Sequence, residues 1–366
     1  MRVLLINQYS MEEAYELWEM GRSGSHHVWG KVELDQRGGI DMMIIPHVKY
    51  PFINKIGGWI KIRHLDQQIR VLMNLKKFDI LYSPYSTANT RLLVFLKWLG
   101  IFRKPIVVCI HQTAFSASKS RRIGNWFAKK FLLQYDLSIF LSRKLMENTI
   151  EKLGIPAGIA RKKFATAQWG PDINFYPAEL DPPLEDCHYF ISAGHTARDY
   201  DTLVEAFRGI DYPLKIFGPV WTLPKTTEIP ENVTFETAPL TYYDLLVHYR
   251  AARAIMIPLR YPPKKEGCQG MTSLQDVIAL GKPTVMTYNR TLNLDIEKEG
   301  FGFAVEMGDV EGWRRAVQVL IDDEKLVKEM GRKAKKTFLE KSNSKIFADR
   351  LEELLKKVYR EKVVKV

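Results

Sequence analysis

Short apolar runs rich in β-branched residues alternate with helical patterns along most of this 366-residue chain. Strands that alternate with helices form parallel sheets covered by helices on both faces, so the order predicts an α/β fold with doubly wound domains. The predicted strands cover residues 3–7, 42–46, 80–82, 106–110, 137–141 and 164–167 in the first half, and residues 189–193, 214–217, 233–237, 254–258, 284–287 and 303–305 in the second. The predicted helices include residues 202–208, 242–251, 273–279 and 310–322, with one long helix after Ser342.

A change of composition at residues 170–186 divides the chain. This segment holds four prolines, several acids and little periodicity, which is typical of an interdomain linker. A chain of this length also exceeds one ordinary hydrophobic core. We therefore expect an N-terminal domain over residues 1–172 and a C-terminal domain over residues 173–345. A helix over about residues 346–366 is expected to pack back onto the first domain.

The cysteines and the apolar runs indicate in which cellular compartment the protein is expected. Cys109, Cys187 and Cys268 are far apart and odd in number, which favours a reducing compartment over a disulfide framework. The apolar run at the N-terminus is too short for a signal peptide, and no run reaches the roughly 18 apolar residues of a spanning helix. We expect a cytoplasmic protein, either free or peripheral on the inner face of the membrane.

The positive charge is concentrated in the first half. Residues 1–170 hold 26 Lys and Arg against 12 Asp and Glu, whereas the remainder is nearly neutral. Two segments, from Lys49 to His64 and from Arg91 to Pro105, combine this charge with aromatic residues suited to an interface, which are Phe52, Trp59, Trp98 and Phe102. This combination favours an anionic membrane surface as a partner. The alternative is that both are ordinary amphipathic helices packed on the sheet. Nucleic acid is not expected as a partner, because the chain shows no recognition module.

The loop and helix over residues 267–281 form the strongest candidate site. Gly270 permits a tight turn, and Thr272 or Ser273 can cap a helix whose free N–H groups attract phosphate. Asp276 falls near the start of that helix, where a carboxylate can accept hydrogen bonds from a ribose. The alternative is a plain helix with an ordinary capping loop.

A second loop follows the first predicted strand of the C-terminal half. Gly194 allows the close approach of a diphosphate, and Arg198 offers a forked, permanently charged donor to it. Asp199 and Asp201 match a metal-binding acid pair, but they open a helix, where acids serve as caps and as favourable dipole partners.

A third loop lies near the N-terminus. Gly24, Ser25 and His26 precede a helix predicted to begin at about Val28, and they are expected to line the acceptor side of a cleft. Paired histidines suggest a metal, but no carboxylate or cysteine has suitable spacing. We therefore predict no metal site.

At this point the sequence resembles a known family, the retaining glycosyltransferases of the GT-B fold in family 4, a group with glycogen-synthase-like architecture. The resemblance covers almost the whole chain, and five segments carry it in order: YDLSIFLSRKLMENTIEKLGIP with WGPDINFYP, YFISAGHTARDYDTLVEAF, ENVTFETAPLTYYDLLVHYRAARAIMIPL, GMTSLQDVIALGKPTVMT and GFGFAVEMGDVEGWRRAVQVLIDDEKLVKEMG. It implies two Rossmann-like domains that face each other across a cleft.

The resemblance also implies roles for individual residues of the 266–276 segment. Asp276 occupies the position of the family's second signature acid, which holds the donor ribose. The first signature acid should lie eight positions earlier, where this chain has Cys268, while Glu266 lies two positions further upstream. The turn that faces the diphosphate and the sugar is formed by Gln269, Gly270, Met271, Thr272 and Ser273.

Other positions of the resemblance fall elsewhere in the chain. Arg198 matches the family's basic residue on the diphosphate, and His195 replaces the other basic residue of that loop. His111, at the end of a predicted strand, matches the histidine near the reaction centre, as a base or a positioning group. Backbone contacts to the base are expected near Gly218, Ala238 and Leu240.

The resemblance implies transfer of a sugar, with retention, from a nucleotide-diphosphate donor to a glycan or lipid-linked acceptor in polysaccharide biosynthesis. It implies neither a metal nor a cofactor. Three alternatives remain open: a sugar-nucleotide epimerase, a phosphorylase of the same fold, and a non-catalytic nucleotide-sugar-binding or membrane-adaptor protein. The last is suggested by Cys268, which stands where an acid is expected.

Overall fold

A computed structural model describes residues 1–85, 87–113, 121–176, 188–226, 228–261 and 267–364, without the side chains of residues 121 and 122. The chain divides into two compact units. Unit 1 comprises Met1–Trp169, Lys264–Gly267 and Ser344–Val366. Unit 2 comprises Gly170–Pro263 and Cys268–Asn343.

Unit 1 is built on a six-stranded parallel sheet with the strand order β2-β1-β3-β4-β5-β6. Its strands are β1 (Arg2–Leu5), β2 (Asp41–Ile44), β3 (Ile80–Ser83), β4 (Ile106–Ile110), β5 (Leu137–Phe140) and β6 (Phe164–Thr166). The central strands β3, β4 and β5 are buried along their whole length, as expected for a parallel sheet covered on both faces.

Nine helices of the described residues belong to unit 1. They are α1 (Met11–Glu19), α2 (Lys31–Arg37), α3 (Pro51–Trp59), α4 (Leu65–Met73), α5 (Arg91–Trp98), α6 (Arg121–Leu132), α7 (Arg143–Leu153), α8 (Ala157–Lys163) and, from the end of the chain, α14 (Ser344–Lys362). Helix α14 packs on α2, where Arg37 pairs with Asp349 and Glu352.

Unit 2 has a second six-stranded parallel sheet, with the order β12-β11-β10-β7-β8-β9. Its strands are β7 (Phe190–Ala193), β8 (Leu214–Phe217), β9 (Val233–Glu236), β10 (Ala254–Ile257), β11 (Thr284–Thr287) and β12 (Gly302–Val305). Its helices are α9 (Tyr200–Phe207), α10 (Tyr242–Arg250), α11 (Met271–Leu280), α12 (Val310–Asp322) and α13 (Glu324–Lys341). Two buried apolar clusters form its core.

Local signals explain most helix ends. Asp199 caps α9 by accepting from the backbone N–H of Thr202, and Asp309 caps α12 in the same way. Gly281 ends α11 in the left-handed region, where glycine carries no Cβ penalty. These caps place the loops between strand and helix at defined positions.

The predicted α/β class with two doubly wound sheets is confirmed, and every predicted strand is present. The helix predicted to begin at Val28 was wrong: Ser25–Val28 is a 3₁₀ turn, and α2 begins at Lys31 after two left-handed residues, Trp29 and Gly30. Helices α9 and α11 begin two residues before their predicted starts. Among the described residues, no helix is long and apolar enough to cross a membrane.

Candidate functional site

The strand order of unit 2 reverses between β7 and β10. Strands β8 and β9 extend the sheet on one side of β7, whereas β10, β11 and β12 extend it on the other. The loops that follow β7 and β10 therefore diverge, and ligands of open α/β sheets bind in the crevice outside such a reversal. Arg198, after β7, and Leu259, after β10, form a backbone bridge at this point.

Helix α11 begins at this crevice. Its N-cap is Gly270, with φ of 82°, a left-handed conformation that strongly favours glycine. The expected capping by Thr272 or Ser273 was wrong, because both lie inside the first turn. N–H groups of a first turn have no carbonyl four residues earlier to accept from them. They carry partial positive charge and suit an anion.

Three hydrogen bonds hold the guanidinium group of Arg198, and one of them joins it to this helix. Its Nε and Nη2 donate to the carbonyl oxygen of Ala193 over 3.0 and 2.8 Å, and Nη2 also donates to Ser273 Oγ over 2.7 Å. The guanidinium group is half-buried, while Ser273 is buried. The structure thus joins the cation after β7 to the first turn of α11, two features that the sequence predicted separately.

The backbone around Arg198 is shaped to hold it. Gly194 has φ of 126°, and a Cβ there would lie 2.5 Å from Arg198 Nη2, so a side chain at this position would displace the guanidinium group. Tyr200 donates its hydroxyl to the carbonyl of Gly194 over 2.8 Å. Ala197 adopts φ of 54°, a strained value for alanine that is characteristic of functional loops.

Sequence reasoning missed a second cation at this edge of the sheet. Arg260 Nη2 lies 2.9 Å from Asp199 Oδ2, and its side chain remains 60% exposed. Its backbone N–H donates to the carbonyl of Ala197 over 2.8 Å. The position of Arg260, three residues after β10, is the signal that would have found it, because polar residues beyond strand ends line such crevices.

Asp276 faces the interior of unit 2. Its side chain is 3% exposed, and Oδ1 accepts hydrogen bonds from Tyr176 over 2.8 Å and from Tyr242 over 2.6 Å. Burial raises the pKa of this carboxyl group to about 7, although the two tyrosine hydroxyls oppose the shift. Ribose binding by Asp276 stays a prediction. No sequence signal marked Tyr176 or Tyr242 as its partners.

Replacing Asp276 by asparagine should stabilise the protein at about pH 8. The folded-state pKa of about 7 lies above the unfolded value of about 3.9, so the folded protein holds the proton more tightly, and wild-type stability falls as the pH rises between them. Asparagine keeps a neutral acceptor for the tyrosines. The free energy of unfolding, measured in urea, should favour Asp276→Asn at about pH 8, and this advantage should shrink as the pH falls from about 7 towards 4. The exposed Asp211→Asn should show no such trend, and a pH-independent advantage of Asp276→Asn would contradict the burial argument.

The front of the 266–276 segment is only partly described. Glu266 lies outside the described residues. Cys268 is 9% exposed, and burial raises the pKa of its thiol to about 12, so it is a neutral group rather than a substitute for a carboxylate. The carbonyl of Gln269 accepts from Asn289 Nδ2 over 3.0 Å, and Met271 donates its backbone N–H to the carbonyl of Cys268 over 3.1 Å.

The remaining donor-side predictions lie on loops of the same sheet edge. His195 is exposed and adjoins Gly194 after β7. Gly218 follows β8, and a Cβ there would lie 2.6 Å from Thr222 Oγ1. Ala238 and Leu240 follow β9 and are exposed. Their roles toward a base stay predictions.

In unit 1, His111 directly follows β4. Its ring lies 4.6 Å from the ring of Tyr85, and its Nδ1 is buried without a hydrogen-bond partner in the described residues. Burial lowers the pKa of His111 to about 4, which keeps the imidazole neutral at pH 7. Tyr85, which is 37% exposed, follows β3, the strand next to β4. Its position beside His111 was not predicted from the sequence.

The predicted acceptor-side loop is mostly buried. His26 is 2% exposed, and burial holds its pKa well below the ordinary value. Ser25 donates its hydroxyl to Glu33 over 2.5 Å, and Gly24 is the N-cap of the 3₁₀ turn. The carbonyl of His26 accepts from Trp169 Nε1 over 3.2 Å. These contacts support the loop, and its contact with an acceptor stays a prediction.

Among the described residues, no three His, Cys, Asp or Glu side chains form a group that could hold a metal ion.

No protein-family model and no curated protein matches this sequence. Among solved structures, the HepE protein of Anabaena in complex with UDP and glucose is similar over 97% of this chain and 99% of its own, with 14% identity and a TM-score of 0.63. Sucrose-phosphate synthase from Thermosynechococcus elongatus is similar over 98% and 99%, with 15% identity and a TM-score of 0.67. A putative UDP-N-acetylglucosamine 2-epimerase from Listeria monocytogenes is similar over 99% and 97%, with 12% identity and a TM-score of 0.57.

These likenesses extend through both units, and at such low identity they establish the fold. Together with the two parallel six-stranded sheets and their strand orders, they show that the chain has the GT-B fold that its sequence predicted.

Proposed function

We propose that this chain is a glycosyltransferase that moves a sugar, with retention, from a nucleotide-diphosphate donor to a glycan or lipid-linked acceptor. One observation carries the proposal: Arg198 is held by Ala193 and Ser273 beside the first turn of α11, at the strand reversal of unit 2. A fixed cation next to a helix N-terminus is suited to a diphosphate.

The chemistry follows from where charge develops. When the bond between sugar and diphosphate breaks, negative charge grows on the diphosphate oxygens. Arg198 is already oriented through Nε and Nη2, and Nη1 is the donor group that we expect to meet those oxygens. The first-turn N–H groups of α11 add a fixed dipole. Groups that are oriented in advance stabilise such charge without reorganisation at the moment of reaction.

Retention of the configuration at the anomeric carbon is the more specific part of the proposal. In a same-face displacement, the bond from the anomeric carbon to the diphosphate breaks as the acceptor oxygen bonds from the same side. The acceptor proton passes to a base, a role for which His111 is the candidate, and no enzyme nucleophile is needed. The only acid in α11, Asp276, is buried under Tyr176 and Tyr242, which agrees with a route that uses no carboxylate nucleophile from this helix.

Structures of similar fold support a uridine nucleotide as the first donor to test. HepE of Anabaena has been solved with UDP and with UDP-glucose. We expect UDP and a UDP-sugar to raise the unfolding temperature of the protein, because a ligand at 100 times its Kd stabilises the folded state by about 2.7 kcal/mol. Uridine, which lacks the diphosphate, is the control.

Differential scanning fluorimetry with uridine, UDP, ADP, GDP and their sugars measures this. An equal shift with uridine and with UDP would contradict a diphosphate site at Arg198. No shift with any nucleotide would overturn the proposed function.

An epimerase is the second candidate, favoured by the likeness to the putative epimerase from Listeria monocytogenes. The two candidates differ in their products. An epimerase converts the nucleotide-sugar itself, whereas a transferase releases free nucleotide diphosphate. Proton NMR of a UDP-sugar incubated with the protein separates them: a new intact nucleotide-sugar identifies the epimerase, and slow release of UDP identifies the transferase.

An anionic membrane surface is the partner that we propose for unit 1. The segment from Lys49 to His64 contains α3, where Phe52 is 62% and Trp59 is 86% exposed. The segment from Arg91 to Pro105 contains α5, where Trp98 is 48% exposed. Phe102, which was expected at this surface, is instead buried in the core of unit 1. Exposed aromatic side chains among lysines and arginines are typical of a surface that lies on anionic headgroups. This contact would place a cytoplasmic enzyme next to a lipid-linked acceptor.

A further inference from the structure

A groove of about 480 Å³ opens between α5 and α6 in unit 1. Its volume falls within the roughly 300–1,000 Å³ that is typical of pockets for small organic ligands. Its described lining residues include neither His111 nor the loop of His26. Neither a donor nor the reaction accounts for it.

Apolar side chains at helical spacing form the two walls. On α5 the wall consists of Phe95 and Trp98, and on α6 it consists of Phe127 and Phe131. Residues three and four apart lie on one face of a helix, so each pair presents a continuous stripe. The floor is closed by the buried side chains of Val94, Leu132 and Tyr135.

The floor offers no polar group to a ligand. The hydroxyl of Tyr135 is 2.7 Å from Thr90 Oγ1 and hydrogen-bonds inside the protein. Gln134, which also lines the groove, donates its Nε2 to the carbonyl of Lys130 over 3.3 Å. An apolar floor with its polar atoms already paired favours a hydrocarbon over a sugar or a nucleotide, because a polar ligand would lose its hydrogen bonds to water there.

The charges that line the groove are all positive. Arg91 and Lys130 are both exposed, and no acidic residue is among the described lining residues. Arg91 Nη1 donates to the carbonyl of Lys61 over 3.4 Å, and Lys130 Nζ lies 5.7 Å from the ring centre of Trp126. Arg91 lies at the first position of α5, and Lys130 lies one residue before Phe131 on α6. A ligand with an apolar chain and an anionic head would match both the walls and these two cations.

The walls are also more exposed than packing inside one chain requires. Phe95 is 49%, Trp98 is 48% and Phe127 is 53% exposed. Contiguous exposed apolar surface with polar residues at its edge marks a site of interaction.

We propose that the groove between α5 and α6 binds one hydrocarbon chain of an anionic membrane lipid, with the headgroup at Arg91 and Lys130. This inference rests on the membrane contact proposed above and deepens it, because it replaces general adsorption by a defined site for a single chain. The site would anchor unit 1 to the bilayer independently of donor binding in unit 2.

Binding of monomeric dodecyl phosphate, measured by isothermal titration calorimetry, tests the proposal on the full chain. We expect one molecule to bind per chain, and dodecyl trimethylammonium to bind roughly tenfold or more weakly, because its head is repelled by the two cations. Equal binding of the cationic and anionic amphiphiles, or binding of many molecules without saturation, would overturn the proposal.

Two substitutions that each add one negative charge distinguish binding in the groove from binding elsewhere on the surface. Phe95→Asp places a carboxylate on an exposed wall, where folding tolerates it, and should weaken dodecyl phosphate binding by roughly tenfold or more. Ile101→Asp, at a position 65% exposed that does not line the groove, should bind like the wild type. If the two variants lose the same affinity, charge on the surface explains the binding and the groove does not.

A photoreactive alkyl phosphate provides a readout that needs no variant. After irradiation with the wild-type chain, peptide mapping should find the crosslinks in α5 and α6, and crosslinks spread over unit 1 would contradict a single site.

Co-sedimentation with anionic vesicles at low salt tests the wider membrane contact, and the shift of the unfolding temperature with UDP tests the donor site. The three results can fail separately.

Discussion

Arg198→Ala should lower the turnover number for sugar transfer by about 10²–10³-fold, the usual effect of losing one oriented donor to developing negative charge. The loss should be large because Arg198 is oriented by Ala193 and Ser273 before any ligand arrives. The effect should fall on kcat more than on KM, since the charge on the diphosphate grows as the bond breaks.

Two further variants make this prediction specific. Arg198→Lys keeps the charge but lacks the planar fork, so it should recover only part of the rate. Arg208→Ala removes a surface arginine of the same unit that pairs with Glu205, and it should transfer sugar like the wild type. Steady-state kinetics with a UDP-sugar, alongside thermal unfolding of each variant, measure the outcome. An Arg198→Ala enzyme with near-normal kcat would remove this residue from the catalytic group.

His111→Ala should reduce kcat by about 10²–10⁴-fold if the imidazole handles or positions the acceptor proton. The ring directly follows β4, its Nδ1 is buried without a partner in the described residues, and it is neutral at pH 7 because burial lowers its pKa to about 4. A neutral imidazole can accept a proton, whereas an imidazolium cannot.

The pH dependence of turnover distinguishes a catalytic role of His111 from a role in supporting the fold. Wild-type kcat/KM should decline towards the pKa of about 4 as His111 takes up a proton, and this decline should be absent in His111→Gln. His111→Gln keeps a polar side chain but cannot act as a base, so it should fold and stay slow. His188→Ala, at an exposed site, is the control. Full turnover in His111→Ala would show that the histidine merely ends a strand.

Much of the fold was predictable, because local patterns and burial agree. The central strands are mainly apolar and buried along their whole length, as is typical of strands covered on both faces, and each predicted strand was found. Helix starts were less accurate. Gly270 in the left-handed region begins α11 at Met271, two residues earlier than an N-cap at Thr272 or Ser273 would suggest.

Asp276 lies in the second turn of α11, where the packing of unit 2 brings its carboxyl group to Tyr176 and Tyr242 rather than to solvent. Neither tyrosine is near Asp276 in the sequence, so no local pattern could pair them. The same holds for Arg260, whose place beside Asp199 depends on the neighbouring strands β7 and β10.

The sequence by itself determined the class of the fold, the order of its strands along the chain and the residue types at the loop after β7 and at the start of α11. These depend on hydrophobic periodicity and on glycine positions, which act over a few residues. Only the tertiary structure decided that Arg198 meets Ser273, that Asp276 is turned inward, and that α5 and α6 leave an apolar groove between them. Such outcomes require the pairing of strands and the packing of helices far apart in the chain, because direction and burial of a side chain are set by its neighbours in space.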